Sequence, residues 1–565
     1  MYYAPQVTSP ELSDSLARRP LDRNPPRAGW LPSLTPRHIL MADIVLVNPR
    51  FTASYWGLEY ALPLLGKRAN LPVACLPLLA ALTPPEHQVT LVDENVEEID
   101  FDRLARADIV GLTGMSVQRQ RMLEICEELR RRGVFVVIGG PWVTVQEDYF
   151  DGLADVIFIG EAEETWPQFL EEWKQGEHRR RYEQADKTDM TRVPVPRFDL
   201  LKMRHYLFGS LQFSRGCPYQ CEFCDIIVTF GRRPRLKTEE QIERELDALH
   251  AQGISIAFIV DDNLIGNKKG VKPLLRRLVD WQQRHAYQLT FFTEASLDLA
   301  EDEELLQLMG DANIQCVFVG IESPNEESLR ETKKYQNVRS AAGSLLDRVH
   351  RIQDAGIEVW CGMIVGFDHD DTSVFPLQTE FIRRSRIGQA MVGMLTAIPK
   401  TPLYERLKED GRLDPADHPE YGTNVIPLQM SRDELRDGYV QVMQDLYAPE
   451  AYFERLEGLY LRDGFKYAVH QLPYWRKHRV WWLRHQTTNL AIAAYLYWRL
   501  MRCVREPELR SEYRRRFHRL LRVRREPALL FIYLMKMAVH YHYHKIVEEM
   551  VRQKTERRAP VLNTF

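Results

Sequence analysis

Cys217, Cys221 and Cys224 stand four and three residues apart in the run from Ser210 to Ile227. Three thiolates at that spacing, on a loop leaving an apolar strand, can hold three irons of a [4Fe-4S] cube and leave the fourth without a protein ligand. An iron left open in this way invites a small molecule. A zinc site would normally add a second Cys or His pair at short spacing, and none follows Cys224 nearby. Eight cysteines in 565 residues, with no secretory segment, describe a reduced, cytosolic chain rather than a disulfide framework. Cys75, Cys126, Cys316, Cys361 and Cys503 lie singly in apolar stretches and read as small core residues.

The elements that must carry this loop are visible as short apolar runs. After the Pro-rich linker at Asp189–Phe198, strands are expected near Leu211–Ser214, Ile256–Val260, Thr290–Glu294, Val317–Ile321, Val359–Gly366 and Met391–Ile398. Amphipathic helices such as Glu239–Ala251 and Val271–His285 separate them. Six β/α units suit a partial parallel barrel, whose chemistry sits at the carboxyl ends of its strands. Polar residues fall there: Asp261, Asp262 and Asn263 on the second strand, Glu294 on the third, Glu322 and Ser323 on the fourth, Asp368 after the fifth. Each could equally be a helix cap or an arginine partner.

Upstream, residues 41–180 alternate strands (Ile44–Val47, Val89–Val92, Ile109–Leu112, Val134–Ile138, Val156–Ile159) with helical patterns, of which Val117–Arg132 is the clearest. That is the pattern of a flavodoxin-like, doubly wound parallel sheet. Small or ligand-capable residues follow three strands: Gly114 and Ser116, Gly139 and Gly140, Gly160 and Glu161. They let a ligand approach the backbone. Composition permits a nucleotide, a flavin, a corrinoid or no ligand, although the absence of GxGxxG and of a Walker lysine weakens the nucleotide readings.

The cysteine triplet, with Phe223 before its last member, resembles the radical SAM signature. The resemblance implies that S-adenosylmethionine chelates the open iron and is cleaved to a 5′-deoxyadenosyl radical. It places the amine near Asp261, Asp262 and Asn263, the ribose or carboxylate near Glu322 and Ser323, and adenine against backbone near Val365 and Ile398. A doubly wound domain directly upstream resembles the cobalamin domain of B12-dependent radical SAM enzymes, so Gly114, Ser116, Gly139, Gly140, Gly160 and Glu161 become cobalamin contacts. The DxHxxG pattern of corrinoid ligation is missing. His87, the nearest candidate, reads as a surface histidine and leaves cobalt without a histidine ligand.

From Asn48 to Tyr460 the chain resembles the subgroup that contains the hopanoid C-2 methylases, through Tyr55–Ala69, Phe213–Thr238, Phe258–Lys269, Phe291–Ala300 and Met391–Leu407. This implies methylation of an unactivated carbon of a small molecule or lipid, with methylcobalamin as methyl donor and an external reductant such as ferredoxin or flavodoxin. A non-methylating cyclisation or oxidation, and a cobalamin and iron-sulfur sensor without turnover, are the alternatives. SAM cleavage separates enzyme from sensor, and a methylated product separates methylase from its rival.

Two ends depart from the subgroup. Residues 1–40, rich in proline, are expected to be disordered. The formal net charge of -4 hides an asymmetry, with roughly 20 Lys and Arg against about 7 Asp and Glu after Trp475. The basic tail, 475–565, therefore reads as a piece separate from the extension at 416–474. Its helical stripes of aromatics and arginine suit a bundle capping the barrel or a peripheral membrane surface better than nucleic acid. No run reaches the length of a membrane span.

Overall fold

The Val- and Ile-rich runs form strands because β-branched side chains fit a surface buried on both faces. In the computed structural model, which describes residues 41–338, 342–462, 465–557 and 560–563, two parallel sheets stand side by side. The expected disorder of residues 1–40 falls outside that range.

The first sheet comprises β1 (Asp43–Asn48), β2 (Gln88–Asp93), β3 (Ile109–Thr113), β4 (Val136–Gly139), β5 (Val156–Ile159) and β6 (Arg181–Glu183), in the order β2-β1-β3-β4-β5-β6. The strand order reverses between β1 and β3, the switch point where doubly wound sheets bind ligands. β6 was not foreseen, since three residues with only Tyr182 buried carry no usable alternation. His87 departs from the surface position expected of it. It is 7% exposed, accepts from the Ala42 N–H (3.0 Å), and precedes β2 at the amino edge, away from the ligand edge.

In the second sheet β7 (Gly209–Leu211) is followed by a small antiparallel ribbon of β8 (Ser214–Arg215) and β9 (Arg235–Leu236). Then come β10 (Ile256–Ile259), β11 (Thr290–Glu294), β12 (Ile314–Glu322), β13 (Glu358–Val365) and β14 (Ala390–Met394), ordered β14-β13-β12-β11-β10-β7. The expected strand at Leu211–Ser214 is broken because the Phe213 N–H turns to the Asp261 carboxylate (2.7 Å). β14 stops short of Ile398 because the Ala397 N–H is taken by Asn424 Oδ1 (2.9 Å). Helices cover the outer face of the half-barrel. The Glu239–Ala251 helix starts in a capping box of Thr238 and Gln241, which satisfies two backbone donors reciprocally.

The basic tail folds into three helices, Arg479–Cys503, Pro507–Val523 and Pro527–Glu556. It does not stand apart as its charge suggested. Leu496, Leu500, Tyr513, Leu520, Tyr533 and Met537 join the same core as the barrel strands, and Lys536 enters the base of the barrel to meet Glu358 (2.7 Å) and Gln389 (2.6 Å). Among the described residues no helix is long and apolar enough to cross a membrane.

Candidate active site at the joined strand ends

The cysteine loop is held from below by two aspartates. Both oxygens of Asp261 are committed, to the Phe213 N–H (2.7 Å) and the Ser214 hydroxyl (2.6 Å). Asp262 Oδ2 accepts from the Gly216 N–H (2.6 Å). Gly216 has φ +95° and leaves a Cβ only 3.0 Å from the carbonyls of Gly231 and Arg233, so only glycine fits the turn into Cys217. Asn263 accepts from the Ser296 N–H (3.2 Å), and its amide lies 3.9 Å from Cys217 Sγ. Gln336 donates toward Cys221 Sγ at 3.6 Å. Hydrogen bonds to cluster sulfurs are a means of setting the potential. Burial raises the Cys217 and Cys224 thiols, and the neighbouring cysteine thiols add to each shift.

Carboxylates crowd the mouth above the loop. Burial pushes Glu294 up to about 8, and Asp262, Asp261 and Glu322 add to the shift. Asp262 is pushed up to about 7 by burial, with Asp261 as a further cause. Lys334 answers Glu294, while Arg215 acts on Asp262 and Lys237 on Asp261. Lys334 Nζ lies 2.7 Å from Glu322 and 5.9 Å from the Phe223 ring centroid. Burial opposes its charge, yet Glu322 and the Cys221 thiol hold its ammonium above the ordinary lysine value. Glu322 itself adopts φ +67°, a strained backbone for a non-glycine residue. Ser323 is fully buried and accepts from the Asn325 N–H (3.1 Å). The Val365 carbonyl accepts from Leu395 (2.9 Å), and the Ile398 carbonyl caps the turn at Thr401. Lys334 and Gln336 escaped the sequence reading, because a short helix after Glu322 brings them in and no motif spacing marks them.

The ligand edge of the first sheet faces this mouth. Arg215, one residue after β8 begins, pairs with Glu161 (2.8 Å) and Glu163 (2.5 Å), and Arg235 adds a second contact to Glu161 (3.1 Å). Glu161 also accepts from the Thr188 N–H (3.0 Å). Its carboxylate is thus taken up in joining the domains. On the other flank Lys400 meets the Thr144 carbonyl (2.7 Å) and Glu147 (2.9 Å), while Asp417 accepts from Arg119 and Tyr149 (both 2.9 Å). The carboxyl ends of both sheets therefore border one space.

Of the small residues at that edge, Gly114 and Gly139 are close-packed, with a Cβ meeting Met122 Sδ at 2.4 Å and Phe158 Cβ at 3.2 Å. Gly140, at φ +102°, has Thr113 in the way at 2.4 Å. Gly160 faces open space. After β3, Met115 and Val117 stay 50% and 37% exposed and Ser116 is exposed, and after β4 Trp142 Nε1 is a buried donor without a partner among the described residues. Exposed apolar side chains and an orphan donor at this edge fit a large, flat corrinoid, and three thiols on one loop with amides directed at two of their sulfurs fit a cube.

A cysteine triplet on a half-barrel, closed against a doubly wound sheet, defines a cobalamin-dependent radical SAM protein. Residues 211–374 match the radical SAM superfamily, 71–170 the B12 binding domain, and 401–556 a domain of unknown function (DUF4070). An uncharacterized methyltransferase of Synechocystis is 40% identical over 74% of this chain and 79% of its own. The hopanoid C-2 methylase of Rhodopseudomonas palustris is 37% identical over 73% and 78%. The solved cobalamin-dependent radical enzyme OxsB, with aqua-cobalamin and S-adenosylmethionine bound, shares the fold (TM-score 0.57, 15% identity, 92% of this chain and 81% of that one). The chain belongs to the cobalamin-dependent radical SAM methyltransferases. Its cofactors are a [4Fe-4S] cluster, S-adenosylmethionine and cobalamin.

Proposed function

We propose that the protein methylates an unactivated carbon of a hydrophobic small molecule or lipid, a hopanoid-like one included. What supports this reading is the single space bordered by both strand edges, reached from Arg215–Glu161 on one flank and Lys400–Glu147 on the other. The bound cofactors supply hydrogen-atom abstraction and a methyl group. The chain's part is to hold both reacting centres over one substrate and exclude water.

In this reading residues 195–415 carry the radical step and 41–180 hold the methyl carrier, with 416–474 and 475–565 as covering regions. Cys217, Cys221 and Cys224 ligate the cube. Asp262 keeps one oxygen for the SAM amine, while Asp261 and Asn263 fix the loop. Lys334 and Glu322 stand where the carboxylate and ribose reach, Ser323 shapes that turn, Phe223 packs behind the cluster, and Val365 and Ile398 border adenine. Gly160, Ser116 and the backbone at Gly114, Gly139 and Gly140 form the corrinoid ledge. A one-electron donor of the ferredoxin or flavodoxin type supplies reducing equivalents. The outer face of the Arg479–Cys503 helix rests against a membrane surface.

The test is anaerobic turnover of the reconstituted full chain with a chemical reductant and a hopanoid. Equal amounts of 5′-deoxyadenosine, S-adenosylhomocysteine and methylated product are expected. 5′-Deoxyadenosine without S-adenosylhomocysteine would replace methylation by another radical reaction.

A further inference from the structure

The cysteine loop meets the surface of the protein through two unlike flanks. On the flank of Glu222, next to Cys221, the cations have their acids. Glu222 pairs with Lys333 (2.9 Å) and Arg406 (3.3 Å), Asp368 with Arg406 and Arg412 (both 2.6 Å), and Glu331 with His369. Charge on that side is spent inside the fold.

On the flank of Cys217 it is not. The turn before β9, from Gly231 to Pro234, lies against the cysteine loop backbone to backbone. The Cys217 N–H donates to the Gly231 carbonyl (3.2 Å), and Arg232 Nη2 donates to the Pro218 carbonyl (3.2 Å). Gly266, just before the helix Lys268–Arg284, closes the third side, since a Cβ there would stand 3.2 Å from both Pro218 and Pro234. Three loops therefore meet beside Cys217, and they carry Arg232, Arg233 and Lys269, all exposed. A cavity of about 520 Å³ opens between the turn and the linker after β6, lined by Lys187, Arg232, Arg233 and Arg235. Arg235 pairs with Glu161 (3.1 Å) and Lys268 with Asp298 (2.7 Å), but among the described residues Lys187, Arg232, Arg233 and Lys269 form no ion pair. Of the two acids lining the cavity, Asp186 and Asp189, Asp189 is engaged by the Thr191 N–H (3.0 Å) and hydroxyl (2.7 Å) and by Arg192 (3.5 Å). The surface keeps a positive excess.

Unpaired cations one layer of backbone from a cluster ligand fit an acidic redox protein. Opposite charge steers the encounter, and electron-transfer contacts are small and weak enough to release after each transfer. Electron transfer also falls steeply with distance, so a surface hydrogen-bonded to the ligand loop shortens the path. The arginines of the tail are no substitute. The Arg479–Cys503 helix packs on the last helix, whose Lys536 meets Glu358 at the start of β13, the end of the barrel away from the cysteine loop.

We infer that the Arg232–Arg233 turn, Lys269 and the cavity beside Lys187 form the docking surface for a small acidic one-electron carrier. This rests on the proposed radical reading of the cluster. One electron leaves the reduced carrier and enters the oxidised cube from the Cys217 side, and no atom crosses the interface.

The test is stopped-flow reduction of the cluster in the reconstituted full chain by a reduced bacterial flavodoxin, with dithionite as a small reductant that needs no dock. Arg233→Glu/Lys269→Glu reverses two side chains that have no hydrogen-bond or ion-pair partner among the described residues, and iron content and melting curves report its folding. Its rate with flavodoxin should fall at least about tenfold, its rate with dithionite should stay at the wild-type value, and added salt should slow the wild type toward the variant. Arg484→Glu/Arg502→Glu on the tail should keep the wild-type rate. A folded Arg233→Glu/Lys269→Glu with wild-type flavodoxin kinetics, loss of those kinetics in the tail variant instead, or a wild type that flavodoxin neither binds nor reduces overturns the inference. Binding of oxidised flavodoxin, measured by calorimetry on the same samples, separates the surface from the chemistry. If dithionite-reduced protein cleaves S-adenosylmethionine while flavodoxin binds wild type and variant alike, docking here fails alone. If flavodoxin binds the wild type and not the variant, yet dithionite yields no 5′-deoxyadenosine, the radical reading fails and the surface stands.

Discussion

Glu294 ends β11 beside Asp262, Asp261 and Glu322, and desolvation there outweighs the cation Lys334. The unfolded chain releases this proton near the ordinary glutamate value of ~4.3, whereas the folded site keeps it until about 8. Between those values the native state binds more protons than the unfolded one, so its stability falls as pH rises through the window. In cofactor-free protein, the melting temperature of the wild type should therefore drop relative to Glu294→Gln between pH 5 and pH 8. Parallel curves for the two proteins would contradict a raised Glu294. At the same scale Lys334 offsets charge beside the cysteines, and its closeness to both Glu322 and Phe223 is a property of folded geometry alone.

Among the elements, the Arg479–Cys503 helix is the least conventional. Ala493, Leu496 and Leu500 bury one face, yet the outer side leaves Trp481, Trp482 and Trp498 more than 40% exposed and contains no acidic residue. Its arginines lie over its own rings, Arg484 over Trp481 and Arg502 over Trp498 (both 5.4 Å). Among the described residues Arg484 and Arg502 form no ion pair, so the cations are available to anionic headgroups while the indoles suit the interface. The full chain should sediment with anionic vesicles and be released by salt, as screening demands. A Trp481→Ala/Trp482→Ala/Trp498→Ala variant should keep its melting temperature and lose most of that binding. Wild-type indifference to anionic vesicles at low salt would remove the membrane from the proposal.

At the scale of the whole molecule, the last helix is a structural member of the barrel. Lys536 is 5% exposed, pairs with Glu358 and lies 4.6 Å from the Trp360 ring centroid, and Tyr460 adds a hydrogen bond to Glu358 (2.9 Å). Removing one partner of a buried pair strands the other charge, which typically costs about 3–5 kcal/mol. Lys536→Met should destabilise by that order in denaturant unfolding, and Lys536→Met/Glu358→Gln should recover much of the loss. A single variant as stable as the wild type would mean that the tail docks by apolar contact alone. By the same logic, deletion from Trp475 onward takes away part of the barrel's own core rather than an appendage.

Local pattern was enough for most of the strands, the paired architecture and the cysteine triplet, because periodicity, β-branched runs and ligand spacing are properties of neighbouring residues. It also marked strand ends as the place for chemistry, and Asp262, Glu294 and Glu322 do meet at one mouth. It could not tell that Asp261 and Glu161 spend their oxygens on backbone and arginine, or that Gly114 and Gly139 are small for packing while Gly160 is open. Nor could it show Lys334 beside the cysteines, Trp56 over Phe318, or Lys536 beneath Trp360. Those pairs are separated by more than a hundred residues, and their contacts depend on how two sheets and a helical tail close on one another. Only the tertiary structure, where burial decides which polar atoms are already satisfied and which face of a strand remains open, distinguishes residues that hold the site from residues left to act in it.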